Sequence, residues 1–248
     1  MATLAGEEHR WVKGARLVMQ VAIPLALFLT SVRLTLTHAY VDLAYRMPGF
    51  PADPYGFTQA DRLHWGNLSL DYLVNNAGID FLGNLTFADG TPIYNARELK
   101  HMHDVKNLTK TALLLWESAL LVLVLLSLWL WRSGHLASAW LALRNGALWT
   151  FGLMAALALA LLASFNSVFV EFHHLFFQGN TWLFLYSDTL IRLFPERFWE
   201  QVFGFITLVT VVAAGAIFVV SSSALRSPRP TRSTPDLPAK TEPPAANS

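Results

Sequence analysis

The sequence predicts an all-α membrane protein in which four transmembrane helices carry an extracytoplasmic cap, and three observations lead there. Of the 248 residues, 54% are apolar and only 14% charged, with a mean hydropathy of +0.39, too few charges to cover an ordinary soluble surface. Four apolar stretches reach the roughly 20 residues that a helix needs to cross the hydrocarbon core. Lys and Arg cluster beside alternate ends of those stretches, so that all three clusters fall on one side of a four-span chain.

Taken in order, residues 1–16 form an N-terminal flank with Arg10, Lys13 and Arg16, and residues 17–37 form the first span behind the interfacial Trp11. Pro24 removes one backbone bond inside that span and is expected to bend it. Basic residues ahead of an apolar run also mark signal peptides. Here the run is longer than a signal core, and Thr37-His38-Ala39 is a poor cleavage site, so the segment reads as a retained helix. Residues 38–107 carry many Asp residues and the breakers Pro48, Pro51, Pro54 and Gly56, which predict a compact cap of turns and short elements. The second span, residues 108–131, closes on Trp129 and Trp131. A loop over 132–147 holds Arg132 and Arg144, and the third span, residues 148–168, opens near Trp149. Residues 169–202 form a second outer loop, and Trp199 precedes the fourth span at 203–225. The tail, residues 226–248, is rich in Pro, Ser and Thr and is expected to be disordered. Its Arg226, Arg229, Arg232 and Lys240 join the other basic flanks, which places both termini in the cytoplasm and residues 38–107 and 169–202 outside.

A net charge of +1 gives no reason to expect a nucleic-acid partner. The absence of Cys excludes disulfides, thiolate metal sites and thiol catalysis.

Histidine supplies the chemistry instead. The topology brings His101 and His103, just before the second span, to the same outer surface as His173 and His174, just after the third. Asn95 followed by Glu98 reads as a capping box, so a helix should start at Ala96 and run directly into the second span. On that helix His101 and His103 lie about 200° apart and cannot serve one site. His103 shares a wet side with Lys100, Lys106 and Lys110, whereas His101 lies near Asp104, Val105 and Leu108; Asp104, at i+3, is placed to hold a ring nitrogen of His101. If residues 168–177 are helical, His173 is surrounded by Phe169, Val170, Phe176 and Phe177, while His174 neighbours Glu171 and Gln178. A half-buried histidine satisfied by a backbone carbonyl would produce the same pattern as a functional one, and the residues alone leave both readings open.

The run from His101 through Met102, His103, Asp104 and Val105 to Lys106, then Phe172-His-His-Leu-Phe-Phe177 with Trp182 after it, and Leu193-Phe-Pro-Glu-Arg-Phe198 before the last span, resembles the bacterial lipoprotein intramolecular transacylase family. The resemblance covers the four-span plan and both outer segments. It implies an enzyme of the bacterial cytoplasmic membrane that moves the sn-2 acyl chain of a diacylglyceryl lipoprotein onto the amine of that lipoprotein's own N-terminal cysteine, leaving a lyso-form. It further implies two catalytic histidines at the boundary of cap and membrane, which the matched patterns assign to His101 and His173, with the diacylated lipoprotein and membrane lipid as the partners. His103, His174, residues 51–93 of the cap and the long tail depart from the family's pattern.

Amine attack on an ester needs a base for the ammonium proton and a donor for the oxyanion and leaving alkoxide, which two imidazoles supply near neutral pH without a cofactor or metal. The rate is then expected to fall as pH drops through about 6.5. Phe172, Phe176, Phe177 and Trp182 form a wall that excludes water and holds acyl chains, or equally an interfacial aromatic belt. Glu117 lies about 16 Å into the second span and must be paired or protonated; Arg33 in the first span is one candidate partner. Two other classes fit more loosely: a metal- or haem-binding protein using the four histidines and Asp104, and a lipid-binding assembly factor without catalysis.

Overall fold

The computed structural model describes residues 2–226, with side chains from Arg10 onward; the expected disordered tail beyond Arg226 lies outside the described residues. In chain order the helices are α1 (Ala2–Thr35), α2 (His38–Arg46), α3 (Gln59–Val74), α4 (Asp80–Gly83), α5 (Ala96–Arg132), α6 (Leu136–Ala163), α7 (Phe165–Phe176), α8 (Thr189–Leu193) and α9 (Glu196–Arg226). No strand occurs among the described residues beyond one antiparallel bridge between Thr86 and Pro92. Four helices are long and apolar enough to cross a membrane: Arg10–Thr35 of α1, then α5, α6 and α9.

Two boundaries differ from expectation. The loop foreseen over 132–147 shrinks to Ser133–His135, and the remainder is the first part of α6. The turn is tight because Gly134 takes a left-handed φ of 80°, which lets the N–H of His135 reach back to the Leu130 carbonyl at 2.8 Å and that of Gly134 to Trp131 at 3.2 Å. The helix formers of Leu136-Ala-Ser-Ala-Trp-Leu-Ala-Leu then continue at once. The third span also does not run to 168. Ser164 is extended (φ −166°, ψ 101°), and its hydroxyl accepts the N–H of Ser167 at 3.2 Å, ending α6 and capping α7. By contrast α1 passes Pro24 as one helix.

In lipid the apolar surface of a helix gains little by meeting another, so close backbone approach and interhelical hydrogen bonds hold the bundle together. The buried face of α6 is built mostly from small residues, Ala139, Ala142, Gly146, Ala147 and Thr150, with Met154 the one large side chain among them. At Gly146 a Cβ would fall 2.6 Å from Ile23 Cδ1 and 2.8 Å from Ile23 Cβ, so α1 and α6 touch at van der Waals limits there. Ser31 of α1 and Thr210 of α9 join hydroxyls at 2.9 Å, both buried, and Trp116 Nε1 of α5 donates to Thr30 Oγ1 at 3.0 Å.

The candidate contact between Arg33 and Glu117 does not form. Arg33 Nη1 donates to the Leu36 carbonyl at 3.1 Å, closing the end of α1, and Glu117 lies exposed on the outer side of α5. The cap holds more helix than a collection of turns, because Thr58 and Asp61 make a full capping box that starts the sixteen-residue α3. Its core gathers Tyr72, Leu82, Ile93, Tyr94, Met102, Leu190 and Leu193, so the start of α5 is built into the cap.

Gly146→Ala should cost about 1–3 kcal/mol of stability by overpacking, although Ala is the better helix former. The control is Gly152→Ala on the same helix, where nothing lies within 4 Å of the added carbon. Thermal unfolding in detergent should show a lowered midpoint for the first variant alone; equal midpoints would remove Gly146 from the contact.

Candidate active site

The site begins at the helix start that Asn95 and Glu98 foretell. Asn95 Oδ1 accepts the N–H groups of Arg97 and Glu98, both at 3.0 Å, and Glu98 Oε2 accepts the N–H of Asn95 at 2.8 Å. The second oxygen, Glu98 Oε1, accepts the N–H of Leu190 at 2.7 Å, tying α5 to α8. Asn95 Nδ2 meets Asp188 Oδ1 at 3.0 Å, and Asp188 Oδ2 accepts the N–H of Leu185 at 2.8 Å, fastening the loop that carries Trp182 and Phe184. One turn beyond Glu98 stands His101.

α7 brings the second imidazole. Its N-terminus is set by the Ser164 cap, and His173 sits in its last turn with Nδ1 2.7 Å from the Phe169 carbonyl, four residues back. A carbonyl only accepts, so Nδ1 carries the proton and Nε2 presents its lone pair.

The two rings face each other with centroids 6.0 Å apart and planes inclined by 23°. His101 is 8% exposed and His173 7%, whereas His103 and His174 are both exposed, the division that helical geometry requires. Phe177 lies 5.0 Å from the His101 ring and 5.5 Å from that of His173, so it belongs to both. Phe184 closes over His101 at 5.3 Å; Phe169, Trp182 and Phe172 surround His173 at 4.3, 4.8 and 5.5 Å. Phe176 stands further out, packing on Phe172 at 4.9 Å and half exposed. His101 Nδ1, Trp182 Nε1 and Thr181 Oγ1 are buried in this region with no hydrogen-bond partner, a costly arrangement unless a ligand supplies one.

Two expectations are corrected. Asp104 does not hold the His101 ring: its Oδ1 takes Lys100 Nζ at 3.1 Å, the exposed i,i+4 pairing, and His101 Nδ1 stays without a partner. Nor is Lys106 on a wet face. It is buried, donating to Asn75 Oδ1 at 3.0 Å and to the Ala77 carbonyl at 2.6 Å, with its ammonium 3.9 Å from the centre of the Tyr72 ring. Among the described residues, no three His, Asp or Glu side chains converge as a metal would need.

Burial among aromatic rings decides the protonation states. Desolvation, helped by the neighbouring His173, pushes His101 down to about 4, with Asp104 opposing weakly. Desolvation also lowers His173, against the carbonyl of Phe169, which favours the charged ring. Both imidazoles therefore favour the neutral form more than a free histidine does, which moves the expected rate change below about 6.5.

A family model described as lipoprotein intramolecular transacylase Lit matches residues 17–199, a stretch that contains both histidine segments. The chain belongs to that family. An uncharacterized protein of Aquifex aeolicus (strain VF5) is 26% identical over 196 residues, covering 78% of this chain and 87% of its own length. The solved structure of the membrane-integral lipoprotein intramolecular transacylase of Bacillus cereus aligns with a TM-score of 0.61 at 19% identity, covering 87% of this chain and 96% of that one. A form of the same Bacillus cereus protein with one histidine replaced by alanine aligns with a TM-score of 0.65 at 18% identity, covering 89% and 96%. Identities this low establish a shared all-helical membrane fold.

The contact of His173 with the Phe169 carbonyl, and Phe184 and Asp188 as site residues, were not read from the sequence. Phe169 sits four residues before His173, a spacing that could have revealed the carbonyl contact; Phe184 and Asp188 reach the site through loop closure, which leaves no periodic signal.

Because both imidazoles are lowered, the unfolded chain binds protons that the folded site refuses. Stability is full above about 6.5 and is lost as pH falls toward the folded values, by at most about 1.4 kcal/mol per pH unit for each histidine. The resistance of the wild type to unfolding in detergent should thus weaken between pH 7 and 5, and His101→Asn should flatten that slope. Parallel curves would mean that His101 is not desolvated.

Proposed function

We propose that this chain is an intramolecular transacylase that moves the sn-2 acyl chain of a diacylglyceryl lipoprotein to the amine of its N-terminal cysteine, with His101 and His173 as the catalytic pair. The observation that carries this reading is the pair itself: two buried neutral imidazoles 6.0 Å apart in an aromatic enclosure, beside buried polar atoms that lack partners. Family membership supports the acyl-transfer class.

The protons then follow from the geometry. The substrate amine attacks the ester carbonyl and forms the new N–C bond. His173 Nε2, available because Nδ1–H is engaged by Phe169, takes the proton that the amine must lose. As the C–O bond to the glycerol breaks, the same proton passes from His173 to the departing alkoxide, so an ester and an amine become an amide and an alcohol. His101, Trp182 Nε1 and Thr181 Oγ1 are the donors at hand for the transient oxyanion. Donor and acceptor belong to one molecule, so holding it folded supplies a proximity gain of up to about 10 kcal/mol. Phe172, Phe176, Phe177 and Trp182 keep out the water that would hydrolyse the ester. With the basic flanks inside, the termini are cytoplasmic and the site faces outward from the bacterial cytoplasmic membrane.

Membranes carrying His101→Ala or His173→Ala should lose at least about 100-fold in transfer rate, the usual weight of acid–base catalysis, while His103→Ala and His174→Ala keep most of it. Mass spectrometry of the lipoprotein should show unchanged mass, one fatty acid moved to an N-terminal amide, and no crossover between light and heavy substrates. Equal losses in all four variants would sink the assignment of the pair, and crossed products would sink the intramolecular route.

The rate should climb with pH toward the amine's own value near about 8, with no break at the ordinary histidine value near about 6.5. A break there in the wild-type pH profile would contradict the neutral imidazoles.

A further inference from the structure

At the end of the bundle away from the cap lies a second cavity, of about 380 Å³, between α6 and α9. Its lining is Arg144 and Leu148 from α6 with Phe218, Ser222, Leu225 and Arg226 from α9. The positions recur at helical spacing, so each set forms one face. Arg144 stands eight residues into α6, about 12 Å along its axis, half-buried between two helices where a guanidinium needs an anion or a chain of acceptors. Among the described residues it has neither: Arg144 Nε is buried without a hydrogen-bond partner, and so is Ser222 Oγ on the facing helix.

Among the described side chains, the charges at this end of the molecule are basic. Arg10, Lys13, Arg16, Arg132, Arg144 and Arg226 occupy this end of the molecule, whereas no described Asp or Glu side chain lies nearer to it than Glu117. No carboxylate among the described side chains can therefore serve the two arginines. Apart from Ser222 the rest of the lining is apolar, and Leu148 is half exposed.

We propose that this cavity binds the headgroup phosphate of an anionic phospholipid. Arg144 and Arg226 would hold the phosphate oxygens with planar, charge-assisted hydrogen bonds, Ser222 would donate a further one, and Leu148, Phe218 and Leu225 would pack against the glycerol and upper acyl chain. The apolar wall selects lipid over soluble phosphate, because a free ion would lose hydration to that wall and gain no contact from it. The site lies at the opposite end from the histidine pair and stands or falls independently of the proposed acyl transfer.

The test is the thermal midpoint of the purified full-length protein in detergent at constant ionic strength, titrated separately with phosphatidylglycerol, phosphatidylcholine and inorganic phosphate. Phosphatidylglycerol should raise the midpoint saturably and phosphatidylcholine should not. Arg144→Gln should weaken half-saturation by at least about tenfold, and Arg226→Gln, an exposed position that tolerates change, should weaken it in the same direction should the first variant prove unstable. Arg132→Gln, at the same end but outside the cavity, should respond as the wild type does. An equal response to phosphatidylcholine, an unchanged response in Arg226→Gln, an equal loss in Arg132→Gln, or saturation by inorganic phosphate alone would each overturn the proposal.

Discussion

The buried carboxylate of Glu98 is the contact on which the site depends. It is 1% exposed and accepts two backbone N–H groups, that of Asn95 at the start of its own helix and that of Leu190 at the start of the α8 region. A carboxylate withdrawn from water is tolerated only when its oxygens are engaged, and burial raises its pKa while those N–H groups pull it back. The arrangement starts α5 inside the cap and fixes the direction of its first turn. It also pins the cap segment that leads into α9. His101 is three residues further along the same helix and inherits that position.

The bundle supplies the other half of the geometry by being rigid where it matters. Gly146 lets α6 press on Ile23 of α1, and the Ser31–Thr210 hydroxyl pair clamps α1 to α9 inside the membrane. The break at Ser164 then turns the chain just above that clamped region, so α7 leaves on a path set by a cap rather than by the axis of α6. His173 reaches His101 because of that break. A continuous helix through 164 would carry its ring along the axis of α6 instead.

The two ends of the molecule treat charge in opposite ways. At the cap boundary desolvation shifts both imidazoles toward their neutral form. The nearby charges are spent on structure: Lys106 on Asn75 and Ala77, Asp104 on Lys100, and Asp53 on Arg192 at 2.9 Å. At the far end the described charged side chains are basic, and the proposed lipid phosphate would supply their counter-charge.

How much of this was legible depended on how local the signal is. Hydropathy and basic flanks show four spans, because each span must satisfy the bilayer by its own composition. Asn95 and Glu98 show where α5 starts, because a cap is a contact between residues three apart. The helical spacing separates His101 from His103 and His173 from His174 for the same reason. The ring-to-ring approach of His101 and His173, the cover of Phe184, the burial of Lys106 and the pairing of Asp104 with Lys100 rather than His101 were decided only by the tertiary structure. They depend on where α7 and the loop before α8 close against α5, contacts between residues far apart in the chain whose energies a one-dimensional pattern does not contain.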